Sequence, residues 1–215
     1  MSDINKQLEL ELRKKVRESG VRLIESKLVQ GTWGNISIRL DDTYMIVTPS
    51  GLDYKRLTPE DMVLFNYHTG EYVGLKPTSE KKIHAAIYRT RPDINAVIHS
   101  HPSYCCSVAA AGVTLPVMSD EMQKLVGGDA RVSGYALPST NKMTVNTIAA
   151  LEGRKACLLA NHGVIACAND IDEAFEVCKV MEESSKVFVE QQTMKKSGKS
   201  EFSLDSLFEV FKKSC

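Results

Sequence analysis

The chain has 215 residues, 43% hydrophobic and 25% charged, enough for one sizeable domain with its own core. Lys plus Arg and Asp plus Glu both number 27, so no net field draws it onto nucleic acid or an anionic membrane. The stretch MSDINKQLELELRKK is polar and alternately charged, unlike a secretory signal, and no apolar run reaches bilayer length; a cytoplasmic protein with no membrane partner is expected.

Residues 3–29 place Leu8, Leu12, Val16, Leu23, Ile24 and Leu28 near helical spacing and predict a long helix, stopped by Gly31 and Gly34. Residues 35–40 alternate Ile36, Ile38 and Leu40 with polar neighbours, which is strand periodicity. An Asp41-Asp42 turn leads to a second strand, TYMIVT, that leaves through Pro49-Ser50-Gly51, and MVLFNY gives a third that runs into the turn HTGE. After Pro77, SEKKIHAAIYRT predicts a helix capped by Thr78 or Ser79. NAVIHSH is a short apolar strand, and Pro102 opens a small Ala/Cys-rich helix at a position proline tolerates. Within residues 155–168, KACLLA and VIACA predict two strands broken by Asn161-His162-Gly163. DIDEAFEVCKVMEESSKVFVEQQ is an amphipathic helix with an N-terminal Asp, and SLDSLFEVFKK predicts a last short helix. With no repeat or Pro/Ser-rich linker, a single α/β domain over 1–215 is expected, with 200–215 as a mobile tail. Its strands and helices predict a three-layer α/β/α arrangement, a largely antiparallel central sheet covered by helices.

Five histidines occur, and three sit where a metal would want them. His99 and His101 are two apart on a predicted strand and share a face, while His162 lies in a tight turn between strands. Three neutral imidazoles with an open fourth position make a catalytic type of zinc site; spacing alone leaves ligand and packing roles both open. Glu80 follows Pro77-Thr78-Ser79 at a helix start, where a carboxylate is also an ordinary dipole partner. Two hydroxyl residues and exposed N–H groups around it form an anion-binding arrangement. His84 falls on the same helical face and can buttress Glu80, although a plain helix-surface histidine is the simpler expectation. The loops Gly31-Thr32-Trp33-Gly34-Asn35 and Thr48-Pro49-Ser50-Gly51 are small, hydroxylated and glycine-containing, which lets backbone N–H groups approach an anion, but turns use the same residues. Cysteines 105, 106, 157, 167, 178 and 215 show no C-x-x-C pair and read as reduced packing residues.

Taken in order, GTWGNISIR, VTPSGLDY, KPTSEKKIHAAIYRTRPDINAVIHSH and LLANHGVIAC resemble the class II aldolase family, in its L-fuculose-1-phosphate aldolase branch, over about residues 30 to 170. The resemblance implies a helix-covered antiparallel sheet assembled as a homotetramer with active sites at subunit interfaces. It implies that His99, His101 and His162 bind one Zn2+ per chain, with Mn2+ or Co2+ as alternatives, and that Glu80 touches the metal and swings off it as acid/base. It places Gly34, Asn35, Ser50, Gly51, Thr78 and Ser79 around the phosphate of a phosphorylated sugar. The chemistry implied is cleavage of a ketose 1-phosphate, through a metal-stabilised enediolate, to dihydroxyacetone phosphate and an aldehyde.

The pattern departs from that branch at the aldehyde end. The fuculose enzymes carry a tyrosine after a proline downstream of the His-x-His and another in the C-terminal tail. Here Asp120 stands where the first would fall, and the tail after Ser200 has none. Asp120 is either the aldehyde-side proton carrier or a solvated carboxylate. Pentulose-5-phosphate 4-epimerases and methylthioribulose-1-phosphate dehydratases share the fold and are the nearest alternatives. The non-enzymatic adducin head lacks the metal site, and the three histidines with Glu80 argue against it.

Overall fold

The computed structural model describes residues 3–29 and 31–212. In chain order the elements are α1 (Asp3–Glu25), β1 (Asn35–Arg39), β2 (Tyr44–Val47), β3 (Val63–Asn66), β4 (Tyr72–Val73), α2 (Lys81–Thr90), β5 (Ala96–Ser100) and α3 (Ser103–Ala111). There follow α4 (Asp120–Val126), β6 (Val132–Ser133), α5 (Asn141–Ala150), β7 (Ala156–Leu159), β8 (Gly163–Ala168), α6 (Ile171–Ser197) and α7 (Leu204–Lys212). Residues 213–215, with the end of the predicted tail and Cys215, lie outside the described residues.

All eight strands join one mixed sheet in the order β4-β3-β2-β1-β5-β8-β7-β6. Its pairings are antiparallel except β6 with β7. Alternation along the strands sends side chains to opposite faces. Ile36, Ala96, Ile98, Val164 and Ala166 pack under α3, α4 and α6. Val47, Val97, Ile165 and Cys167 pack under α2 and α5. Leu12 and Val16 of α1 cover Ile38, Ile46 and Leu64 near the β2–β3 end. Each such fully buried aliphatic side chain contributes about 1.5–3 kcal/mol relative to exposure, so the sheet is held from both faces. Among the described residues no helix is long and apolar enough to cross a membrane.

The first helix stops at Glu25, short of the expected residue 29. Lys27 takes a left-handed φ of 58°, and Leu28 N–H bonds back to Leu23 O at 3.3 Å. The turn still delivers Leu28 and Val29 into the core, which is why the apolar spacing continued past the helix end. The helix after Pro77 begins at Lys81 with Glu80 at the N-cap position, and neither Thr78 nor Ser79 caps it. Two-residue β4 and β6 and the weakly patterned α4 and α5 carry little periodicity of their own, so they exist through their neighbours. The described cysteines are free, and all but half-buried Cys106 are buried; burial pushes the Cys167 and Cys178 thiols up to about 12, which suits inert packing groups.

Candidate metal centre

Strand register brings the polar cluster together. Asn35 of β1 stands directly opposite His99 of β5, and both point to the face that α2 covers. His101 follows one residue beyond the end of β5, and its ring centroid lies 4.4 Å from that of His99. His162 enters from the β7–β8 turn, made tight by Asn161 at φ 56°, with ring centroids 4.8 Å from His99 and 5.1 Å from His101. One ligand atom from each of the three rings falls within 4.8 Å of the others. Glu80 is 4% exposed and closes the cluster from the start of α2, Oε2 standing 3.0 Å from His99 Nε2 and Oε1 3.5 Å from His162 Nε2.

The imidazoles are oriented for a cation. His99 Nδ1 donates to Val164 O at 3.0 Å and His101 Nδ1 to Trp33 O at 2.9 Å, which turns each Nε2 toward the cluster. His99 Nε2 is buried with no well-formed hydrogen bond, only the Glu80 carboxylate 3.0 Å away, a costly arrangement unless something else meets it. A divalent ion on three imidazoles with Glu80 beside it satisfies that demand, so the residues present fit such a group. Burial drives the His101 and His162 rings toward the neutral, ligating form, His101 down to about 4, and the charge of His99 adds to it. Burial alone would raise the Glu80 carboxyl; the facing His99 and His162 and the amide of Asn35 outweigh it and hold Glu80 below the usual carboxylate range.

Gly163 makes the close approach of these rings possible. A Cβ there would stand 2.5 Å from Ser100 O and 2.8 Å from His101 Cδ2. Its role as a platform for two ligands was not legible in the sequence, where it reads as a turn glycine.

A cavity of about 540 Å³ opens above the cluster. Gly34, Asn35, Ser50, Gly51, Thr78 and Ser79 all line it, as do Glu80, His101 and His162. The Thr48-Pro49-Ser50-Gly51 loop is bonded to the segment that leads into α2. Ser50 N–H donates to Lys76 O at 2.9 Å and Thr78 N–H to Thr48 O at 3.1 Å. Those two amides are therefore engaged, whereas the Gly51 and Ser79 N–H groups have no protein acceptor among the described residues. Gly51 holds φ at 70°, which a side chain would strain. Asn35 lines the cavity, but both ends of its amide are committed to Glu80 and His84. Asp120 is not brought to this cavity; it is exposed in the first turn of α4.

His84 corrects the surface expectation. It is fully buried, and it touches Glu80 only through Asn35. Trp33, within the loop read as approaching an anion, lines the cavity, while sequence reasoning missed Pro138 on its wall and Ser37 and Tyr88 behind Glu80. The helical spacing of Glu80, His84 and Tyr88 was the signal available for the last of these.

The chain is similar to known proteins in sequence and in fold. Residues 14–189 match the Class II Aldolase and Adducin N-terminal domain. The 5-deoxy-D-ribulose 1-phosphate aldolase of Bacillus thuringiensis is 35% identical over 185 residues, 85% of this chain and 86% of that protein. A 5-methylthioribulose-1-phosphate/5-deoxyribulose-1-phosphate aldolase of Rhodospirillum rubrum is 38% identical over 157 residues, 73% of this chain and 70% of its own. A solved L-fuculose 1-phosphate aldolase superposes with TM-score 0.78 at 35% identity, covering 83% of this chain and 84% of that one.

Proposed function

Because this chain belongs to the class II aldolase and adducin N-terminal domain family, we propose that it is a divalent-metal aldolase cleaving a ketose 1-phosphate to dihydroxyacetone phosphate and an aldehyde. The observation that carries this is the convergence of His99, His101, His162 and Glu80 beneath a cavity walled by small hydroxylated loops. An adducin-like binding module has no use for an oriented imidazole triad with a buried carboxylate against it.

A divalent ion held by the three imidazoles, zinc in first place, supplies Lewis-acid polarisation of the ketose carbonyl. The chain's own residues do the rest. Gly51, Ser50 and Ser79 receive the phosphate through hydroxyls and free N–H groups, and so fix the reacting carbons beside Glu80. Among the described residues Glu80 is the only carboxylate lining the cavity. It returns a proton to the carbon beside the carbonyl once the C–C bond has broken, and removes one there in the synthetic direction. In this reading Asp120, exposed on α4, serves the aldehyde end only from an adjacent copy of the homotetramer that the family resemblance implies. Trp33 and Pro138 give that end an apolar flank. Together with the relatives named for 5-deoxyribulose 1-phosphate and for L-fuculose 1-phosphate, both sugars that end in a methyl group, this favours a ketose 1-phosphate with a deoxygenated tail.

Purified protein is expected to carry about one divalent ion per chain and to release dihydroxyacetone phosphate from at least one ketose 1-phosphate in a panel assay coupled to its reduction. Pentulose 5-phosphate interconversion without that release would make the protein an epimerase instead.

A further inference from the structure

From Glu80, just before α2, a polar ladder continues along the helix's buried face beyond the residues read as metal ligands. Glu80, His84 and Tyr88 are spaced by four, so they stack on one helical face. Asn35 and Ser37 are spaced by two on β1, so they share the strand face beneath. Four residues of helix rise about 6 Å and two of strand about 6.7 Å, so the two ladders interleave without drifting out of step.

The interleaving is complete. Glu80 Oε2 accepts from Asn35 Nδ2 at 3.1 Å. Asn35 Oδ1 is 2.5 Å from His84 Nε2, His84 Nδ1 is 2.7 Å from Ser37 Oγ, and Ser37 Oγ is 2.8 Å from Tyr88 OH. Asn35, Ser37, Glu80, His84 and Tyr88 are all buried. Only one donor direction satisfies every member. A carboxylate can only accept, so the Asn35 nitrogen must face Glu80 and its oxygen must face His84. His84 must then donate from Nε2 and accept at Nδ1, and Ser37 must donate to it while accepting from Tyr88. Burial supports a neutral imidazole, holding His84 down to about 3. A flipped Asn35 would set its oxygen against the carboxylate and its NH2 against the His84 N–H, two buried clashes at once.

From this we propose that His84 is a positioning residue for catalysis: its Nε2–H tautomer, demanded by the Asn35 carbonyl and accommodated by the Ser37 hydroxyl, locks the Asn35 amide with its nitrogen toward Glu80 and so fixes the proton-carrying carboxylate over the metal centre. The inference rests on Glu80 being the proton carrier, but the lock itself exists without turnover. A purely apolar residue at 84 could fill the same space; what it could not supply is the donor that sets Asn35.

The test joins spectroscopy of the metal-free protein with kinetics of the metal-loaded one. Imidazole 15N shifts are expected to show His84 as the Nε2–H tautomer, and the Asn35 side-chain amide as one slowly exchanging pair. In His84→Leu that amide should lose its protection, and kcat should fall about 10–100-fold with KM for the ketose phosphate within about twofold. His84→Gln keeps a donor near the Nε2 position and should recover both signals, with kcat within about threefold of wild type. An Asn35 amide unchanged in His84→Leu, or a Gln variant as impaired as the Leu variant, would overturn the proposal. Should the Leu variant not fold, the wild-type tautomer decides: a His84 protonated at Nε2 beside a protected Asn35 amide supports the lock, and a His84 protonated at Nδ1 alone refutes it. If wild-type protein releases no dihydroxyacetone phosphate, the aldolase assignment fails and the tautomer and Asn35 signals alone judge the lock.

Discussion

Gly163→Ala is the smallest change that should dismantle the metal centre while leaving every ligand in place. Gly163 opens β8, and the added methyl would lie 2.5 Å from Ser100 O, 2.8 Å from His101 Cδ2 and 3.3 Å from His99 Cε1. Ser100 O belongs to a strand hydrogen-bonded on both sides and cannot move aside, so the rings must give. Overpacking of this kind costs about 1–3 kcal/mol. For a domain of this size a 2 kcal/mol loss lowers Tm by about 4–8 °C. The larger effect falls on the ion. At a hundredfold excess over Kd, metal adds about 2.7 kcal/mol to wild type. Displaced ligands that weaken binding about 10–100-fold would cut that increment to about 1.4 or 0.4 kcal/mol. Thermal melts of the metal-free and metal-loaded proteins read both quantities, with metal content as a check. A variant melting within about 1 °C of wild type, and gaining the full metal increment, would refute the platform role of Gly163.

Three further outcomes follow from the same geometry. His99→Ala removes a fully buried imidazole, proposed as a ligand and held by Val164 O, and should lose bound metal and turnover together; full metal content would remove His99 from the proposed ligand set. Glu80→Gln should keep most of its metal but lose about 10²–10⁴-fold in kcat, the range of a general acid–base group; unchanged turnover would end that assignment. His84 also predicts an acid sensitivity of the metal-free fold. Its native pKa is lowered from 6.5 to about 3, so below pH 6.5 the unfolded chain takes up the proton and the native state does not. Stability should therefore fall with pH across that window by up to about 1.4 kcal/mol per unit from this group. Denaturant melts should show wild type losing ground to His84→Gln as pH drops from 6 to 4; a pH-independent gap would contradict it.

The sequence by itself determined the strands and helices that have their own periodicity. The alternation of Ile36, Ile38 and Leu40 and the long pattern of α6, capped by Asp170, needed no tertiary help. It also marked His99, His101, His162 and Glu80, because the motifs that hold them keep their order along the chain. What it left undecided was direction. Asn35 reads as a loop residue beside a phosphate until β1 pairs with β5 and turns its amide onto Glu80. His84 reads as a surface histidine until α2 packs on β1 and buries it. Gly163 reads as a turn glycine until the turn places it under two imidazoles. Asp120 shared a line of reasoning with the site but not a location, since it sits exposed on α4. The physical reason is the same in each case. Periodicity records which side of an element is apolar, whereas a hydrogen-bond partner or a close contact is chosen by strand register and helix docking, which join residues far apart in the chain.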